Sequence, residues 1–145
     1  MSTFVGFGFG AIQGGLFLPE ASSSDFFRRL VVAEIDPKTV EQVRKHKGTY
    51  FCNIAESDRV RVIKIEGVEI YNPMDLEDRV KLVRAIAEAQ EICTALPSFT
   101  LYDAGEDSVA KIMCEGLKIK MESPELPSGV IYAAENDSRA ASRLR

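Results

Sequence analysis

The sequence holds no tryptophan, one histidine and three cysteines in 145 residues, and each shortage closes off a chemistry. Cys52, Cys93 and Cys114 are odd in number and widely spaced. They make neither a disulfide framework nor a zinc pattern, so reduced thiols and no metal site are expected. The single histidine, His46, stands in the basic run Arg44-Lys45-His46-Lys47, at the end of a helical segment where the helix dipole favours cations. It is read as part of a solvated helix terminus and not as a catalytic base. Basic charge is not in excess either. The 18 Lys and Arg against 22 Asp and Glu leave a net charge of −4, which argues against nucleic acid or an anionic membrane as the main partner. No apolar run approaches the roughly 18–20 residues of a spanning helix, and the N-terminus lacks the basic segment of a secretory signal. A cytoplasmic location is expected. Repeats and low-complexity segments are also missing. What remains is a chain with 46% hydrophobic and 28% charged residues, suited to one domain with one core.

The stretch around which the rest is organised is Phe4-Val5-Gly6-Phe7-Gly8-Phe9-Gly10-Ala11-Ile12-Gln13-Gly14-Gly15. A short apolar run over 3–7 reads as a strand, and it breaks directly into glycines. Such a break lets backbone turn tightly, approach a pyrophosphate and offer it the N–H groups of the next helix. Two alignments with the dinucleotide fingerprint G-x-G-x-x-G/A compete. Gly6-Phe7-Gly8-Phe9-Gly10-Ala11 satisfies it in full but leaves only Thr3, Phe4 and Val5 as strand. Gly8-Phe9-Gly10-Ala11-Ile12-Gln13 keeps a strand of ordinary length, places Gln13 where the third glycine belongs, and is preferred. Gln13 is expected to loosen the contact between helix and sheet. Ile12, Leu16 and Phe17 give the helix one apolar face; Gly14 and Gly15 weaken it, and Pro19 disfavours helix at Leu18. Residues 18–27 are therefore expected to be a surface excursion, with Phe26 and Phe27 tucked onto the core.

Leu30-Val31-Val32-Ala33 is apolar without alternation, the mark of a strand covered on both faces. It ends in Glu34-Ile35-Asp36-Pro37, and either carboxylate could serve a ribose. Asp36 before Pro37 is a standard helix start. Glu34 has no comparable structural task and lies about 26 positions beyond Gly8, against the roughly 20 usual for this fold. Glu34 is therefore assigned to the ribose hydroxyls. A helix from Pro37 carries Val40 and Val43 inward and stops at Gly48.

Then the texture changes. Tyr50 to Asn53, Val60 to Ile65 and Val68 to Tyr71 are short and alternating, with Glu66-Gly67 expected as a hairpin turn between the last two. They read as a small antiparallel excursion, around residues 50–71, leading back to the main sheet. Asn72-Pro73 suggests another cap, and Leu76, Val80, Val83 and Ala87 trace the expected inner face of a helix over 73–90. A strand over 91–96, a loop over 97–107, and a helix with Val109, Ile112, Met113 and Leu117 inward follow. After a linker, Val130 to Ala134 is expected as a last buried strand. Strands alternating with helices predict a doubly wound, Rossmann-like parallel sheet of the α/β class.

Phe7-Gly8-Phe9-Gly10-Ala11-Ile12-Gln13-Gly14-Gly15 resembles the F-G-x-G-x-I-x-x-G opening of the mannitol-1-phosphate and mannitol dehydrogenase family. These are polyol-specific long-chain dehydrogenases, with the fructuronate, tagaturonate and altronate reductases among them. Three further landmarks follow in the same order: Ala33-Glu34 after the second strand, Thr94-Ala95-Leu96-Pro97, and Ala134-Glu135-Asn136. The resemblance implies a domain that binds NAD through Gly8, Phe9, Gly10, Ala11, Ile12, Gln13, Glu34, Thr94 and Ala95. It implies hydride transfer between a polyol, polyol phosphate or sugar acid and its keto form, with Asn136 near the substrate. It also places the catalytic lysine in a downstream helical domain of the same protein. Residues 1–145 are accordingly expected to be the cofactor domain, truncated or free-standing, and inactive alone. A non-catalytic nucleotide sensor is the main alternative, and a methyltransferase a weaker one.

Overall fold

Strand β1 (Thr3–Phe7) is buried at every position, because it is flanked on both edges and covered on both faces. In this computed structural model, which describes residues 2–145, it pairs in parallel with β2 (Arg29–Ala33) on one side and β6 (Glu91–Thr94) on the other. β5 (Val68–Tyr71) adds beyond β2 and β7 (Val130–Ala133) beyond β6. The order β5-β2-β1-β6-β7 is a doubly wound parallel sheet, with the order of strand addition switching sides between β1 and β6. The fold is Rossmann-like.

Alternation along β1 divides the core. Phe4 faces Leu18, Val40, Val43 and the strand residues Leu30, Val32 and Cys93. Val5 and Phe7 face α3 (Leu76–Glu88) and α4 (Val109–Glu122) through Leu82, Ala85, Ile86, Ile112 and Met113. Those two helices lie close together, because a Cβ on Gly116 would overlap Ile86. The antiparallel excursion is a separate two-stranded ribbon, β3 (Tyr50–Ala55) and β4 (Val60–Ile65), as expected. Glu66-Gly67 is not its hairpin turn. The ribbon turns between Glu56 and Arg59, whose backbones bond at 2.8 Å, and residues 66–67 carry the chain across to β5 in the other sheet.

Pro19 does not end the first helix. The chain is π-helical over Gln13–Phe17 and continues as α1 (Leu18–Ser23), so most of the expected 18–27 excursion is helix. Proline removes an N–H and crowds the carbonyl four residues back. Here a wider turn, with Leu18 N–H donating to the Gln13 carbonyl, accommodates both. Phe27 packs edge-on against Phe4 at 5.7 Å between ring centres, while Phe26 stays 56% exposed.

Three other expectations are corrected. α3 starts at Leu76 under an Asp75 cap; Asn72 caps only a turn, accepting from Met74 N–H. Of the expected inner face, Ala87 is buried and Val83 packs against the core, but Leu76 and Val80 are 82% and 70% exposed, and the fully buried positions are Leu82, Ala85 and Ile86. The inner stripe opens with a buried Asp78, held by the Arg44 guanidinium and by Asn72 N–H. Finally β7 is an exposed edge, since among the described residues no strand lies beyond it and Val130, Ile131 and Tyr132 are all open to solvent. α2 (Pro37–Lys45) and α5 (Ala140–Leu144) complete the structure, and His46 sits exposed at the end of α2.

Gln13 does not loosen the helix against the sheet. Its side chain is fully buried over Gly6, where any Cβ would overlap the Gln13 amide. The strand gives up the volume that the missing third glycine would have given. Both amide atoms of Gln13 are nevertheless buried without a hydrogen-bond partner among the described residues. An apolar side chain of the same shape removes that penalty, so Gln13→Met is expected to raise the unfolding free energy by about 1 kcal/mol in urea titrations. Gly6→Ala is expected to lower it by about 1–3 kcal/mol, and by much less when Gln13 is also alanine. Equal costs in both backgrounds would show that the two residues do not share this space.

Candidate functional site

The carboxyl ends of β1, β2 and β6 meet at a glycine turn. β1 runs through Phe7 and contains Gly6, so the turn opens at Gly8. Gly8 has φ +83°, donates its N–H to the Ala33 carbonyl at 2.9 Å, and would place a Cβ 2.9 Å from the Ala95 carbonyl. Only glycine passes between the neighbouring strands there. Gly10 is different: a Cβ on it would meet nothing within 4 Å. It opens onto solvent beside exposed Ala11 and Ile12, whose N–H groups belong to the first turn of the helix and have no intrahelical acceptor.

Phe9 lies between these glycines. Its N–H donates to Glu34 Oε2 at 2.8 Å, and Glu34 Oε1 accepts from Asp36 N–H at 2.9 Å. The half-buried Glu34 carboxylate is thus fixed beside the turn, and each oxygen keeps a further lone pair. Asp36 performs the capping role expected of it, accepting from Lys38 N–H, Thr39 N–H and the Thr39 hydroxyl. The Thr39 hydroxyl and N–H hold its carboxyl below the usual range. Gln13 belongs to the seam under the helix and does not face the shelf.

On the other side of the turn, Ala95 N–H donates to the Phe7 carbonyl and extends the strand pairing by one residue. Thr94 is fully buried, and its hydroxyl donates to Glu135 Oε2 at 2.9 Å. Leu96 N–H donates to Glu135 Oε1 at 3.0 Å, and the Tyr102 hydroxyl donates to the same carboxylate. Burial, followed by Glu135 itself, pushes the Tyr102 hydroxyl up to about 12, so it stays a donor. Burial likewise pushes the Cys93 thiol up to about 12 and leaves it inert. Asn136 stands just past this knot, exposed and with no hydrogen bond on its amide among the described residues.

The shelf therefore unites Gly8, Phe9, Gly10, Ala11, Ile12 and Glu34, with Ala95 adjoining. Thr94 is turned inward and Asn136 lies beyond β7, on the far side of the turn from Glu34. Tyr102 and Tyr50 were missed in the sequence. Tyr102 falls in a span expected to be loop, but a short 3-10 helix (Phe99–Asp103) capped by Ser98 delivers it to Glu135. Tyr50 donates to the Gly14 carbonyl at 2.8 Å and packs edge-on against Phe9 at 5.1 Å.

The concave surfaces lie elsewhere. One of about 660 Å³ runs between α3 and α4 beside Leu76, Val80 and Ile119. Another of about 330 Å³ lies between α4, β7 and α5. The turn is an open shelf. Among the described residues, no group of three or more His, Cys, Asp and Glu is placed to hold a metal ion, and no helix is long and apolar enough to cross a membrane. No protein-family model matches the chain, and no curated protein matches it. The shelf nevertheless fits a dinucleotide on its own geometry: a glycine with open space above it, unpaired helix N–H groups, and a carboxylate on the adjacent strand.

Because three donors converge on the buried Glu135, Glu135→Ala is expected to cost about 3 kcal/mol of stability and speed hydrogen exchange at Leu96. Asn136→Ala should stay within about 0.5 kcal/mol of wild type. Alkaline pH should weaken the knot. The unfolded Tyr102 hydroxyl ionises near pH 10 and the folded one near 12, so its contribution is full below about 10 and fades towards 12. Urea midpoints measured across that window should fall, and Tyr102→Phe should flatten the fall.

Proposed function

We propose that this chain is the NAD-binding domain of an oxidoreductase that interconverts a polyol, a polyol phosphate or a sugar acid with its keto form. The observation that carries the nucleotide reading is the pairing of the Gly8–Gly10 turn with Glu34 through Phe9 N–H. Ala11 and Ile12 N–H groups are the proposed donors to the pyrophosphate, and Gly10 lets it approach. Glu34 is the proposed acceptor for the adenosine ribose hydroxyls, and its charge disfavours a 2′-phosphate, giving NAD over NADP. Ala95 is assigned to the wall of the shelf on the β6 side. Bound NAD would supply hydride transfer at the nicotinamide.

The polyol and sugar-acid reading rests on the order of the sequence landmarks, Gly8-Phe9-Gly10, Ala33-Glu34, Thr94-Ala95-Leu96-Pro97 and Ala134-Glu135-Asn136. Asn136, exposed and unpaired, is assigned to a substrate oxygen. The acid or base is assigned to a further domain, because Tyr102 and Glu135 are already bound to each other. That same knot favours a second reading, a nucleotide-binding module that performs no chemistry of its own.

Gly10→Val is the clean test, since the fold has room for the side chain and the phosphate does not. Calorimetry should show NAD binding in the wild type and none in Gly10→Val, with unchanged circular dichroism. NAD should bind more tightly than NADP, and Glu34→Gln should narrow the difference. Undiminished affinity in Gly10→Val moves the site away from this turn; tighter binding of NADP removes Glu34 from the ribose.

A further inference from the structure

The two-stranded ribbon is inserted between α2 and β5 and adds no strand to the main sheet, so it needs a reason of its own. Its inner face supplies one. Tyr50, at the start of β3, reaches both ends of the segment that follows β1. Its ring packs edge-on against Phe9, the residue between the two turn glycines. Its hydroxyl donates to the Gly14 carbonyl at 2.8 Å. A Cβ on Gly14 would sit 3.8 Å from the Phe9 ring and 3.9 Å from the Tyr50 ring, so all three are in contact.

The Gly14 bond is not incidental. Pro19 has no N–H to give to the carbonyls four and five residues back, those of Gly15 and Gly14. Tyr50 serves Gly14, and the Cys52 thiol approaches Gly15 at 3.8 Å from the same strand. The ribbon thus bonds directly to the backbone of the π-helical segment just ahead of Pro19. Burial holds the Tyr50 hydroxyl far above its usual range, which keeps it a donor.

We infer that Tyr50 is a positioning residue for the nucleotide turn, holding Phe9 and the Gln13–Phe17 segment so that the Ala11 and Ile12 N–H groups are aimed before the ligand arrives. This rests on the reading of the turn as a dinucleotide site. Preorganisation of this kind contributes to affinity by removing an ordering cost at binding. Phe9 then has two restraints from different elements, Glu34 on its N–H and Tyr50 on its ring.

The experiment compares wild type, Tyr50→Phe, Tyr50→Leu and, as a control on the outer face of the same strand, Phe51→Ser. NAD affinity is measured by calorimetry, and amide exchange over residues 10–18 is measured in the unliganded protein. Tyr50→Phe keeps the ring and loses the Gly14 bond, so affinity should fall about three- to tenfold with faster exchange in that segment. Tyr50→Leu should weaken binding further, and Phe51→Ser should leave both readouts at wild-type values. Should Tyr50→Leu not fold, Tyr50→Phe carries the comparison. If wild type binds NAD and Tyr50→Phe binds it equally well, the inference is overturned while the nucleotide reading stands. If Phe51→Ser loses as much affinity as Tyr50→Phe, the effect belongs to the whole ribbon and the inference is again overturned. A wild-type protein that binds no dinucleotide removes the reading, and this inference with it.

Discussion

A strand with neighbours on both edges and helices on both faces has no free backbone, so the chain can leave it only at its end. β1 meets that constraint at Gly8. The last strand carbonyl, on Phe7, is taken by Ala95 N–H, and Gly8 N–H goes to the Ala33 carbonyl. The chain must therefore rise between β2 and β6 in a conformation closed to other residues. The outward turn of Phe9, the exposure of Gly10 and the placing of Glu34 beside them all follow from that exit. The depth of the central strand and the shape of the shelf are one fact.

Where burial was two-sided, the sequence was easy to read. β1 and β2 are unbroken apolar runs because both faces are covered; Asp36 stands out because its carboxylate accepts the first helix N–H groups, and Gly48 because its φ of +73° favours glycine. Glu34 could be separated from Asp36 by asking which had a structural task already. The failures have equally physical causes. α3 carries apolar residues on two stripes, and the one facing the sheet begins with a charged Asp78 whose ion-pair partner, Arg44, is remote in sequence. Periodicity alone misplaces the first turn of the inner face in such a helix, at Leu76 and Val80. β7 reads like a buried strand because an edge lacks neighbours, and a neighbour is not written into the strand itself. Pro19 reads as a break because the hydroxyl that bonds the Gly14 carbonyl ahead of it comes from Tyr50.

The candidate site shows the same division. Its glycines and Glu34 were legible because each is a local solution to a local problem. The Glu135 knot was not, since it draws a threonine from β6, a tyrosine from a short 3-10 helix and a backbone N–H from a loop. It ties the ends of β6 and β7 together and sets the wall of the shelf opposite Glu34. The two sides of the shelf are thus built differently: on the β2 side a half-buried carboxylate with one donor on each oxygen, on the β6 side a buried carboxylate that gathers three donors.

The seam between Gly6 and Gln13 couples what the two positions can hold. Only one partner can carry a side chain into that space, so the two positions cannot drift independently. A glutamine arriving opposite a larger residue in β1 would force helix and strand apart. In this chain the glycine stands in the strand and the glutamine fills the gap above it. A pattern that demands a small residue in the third position would pass over such a pair, even though strand and helix are in close contact there.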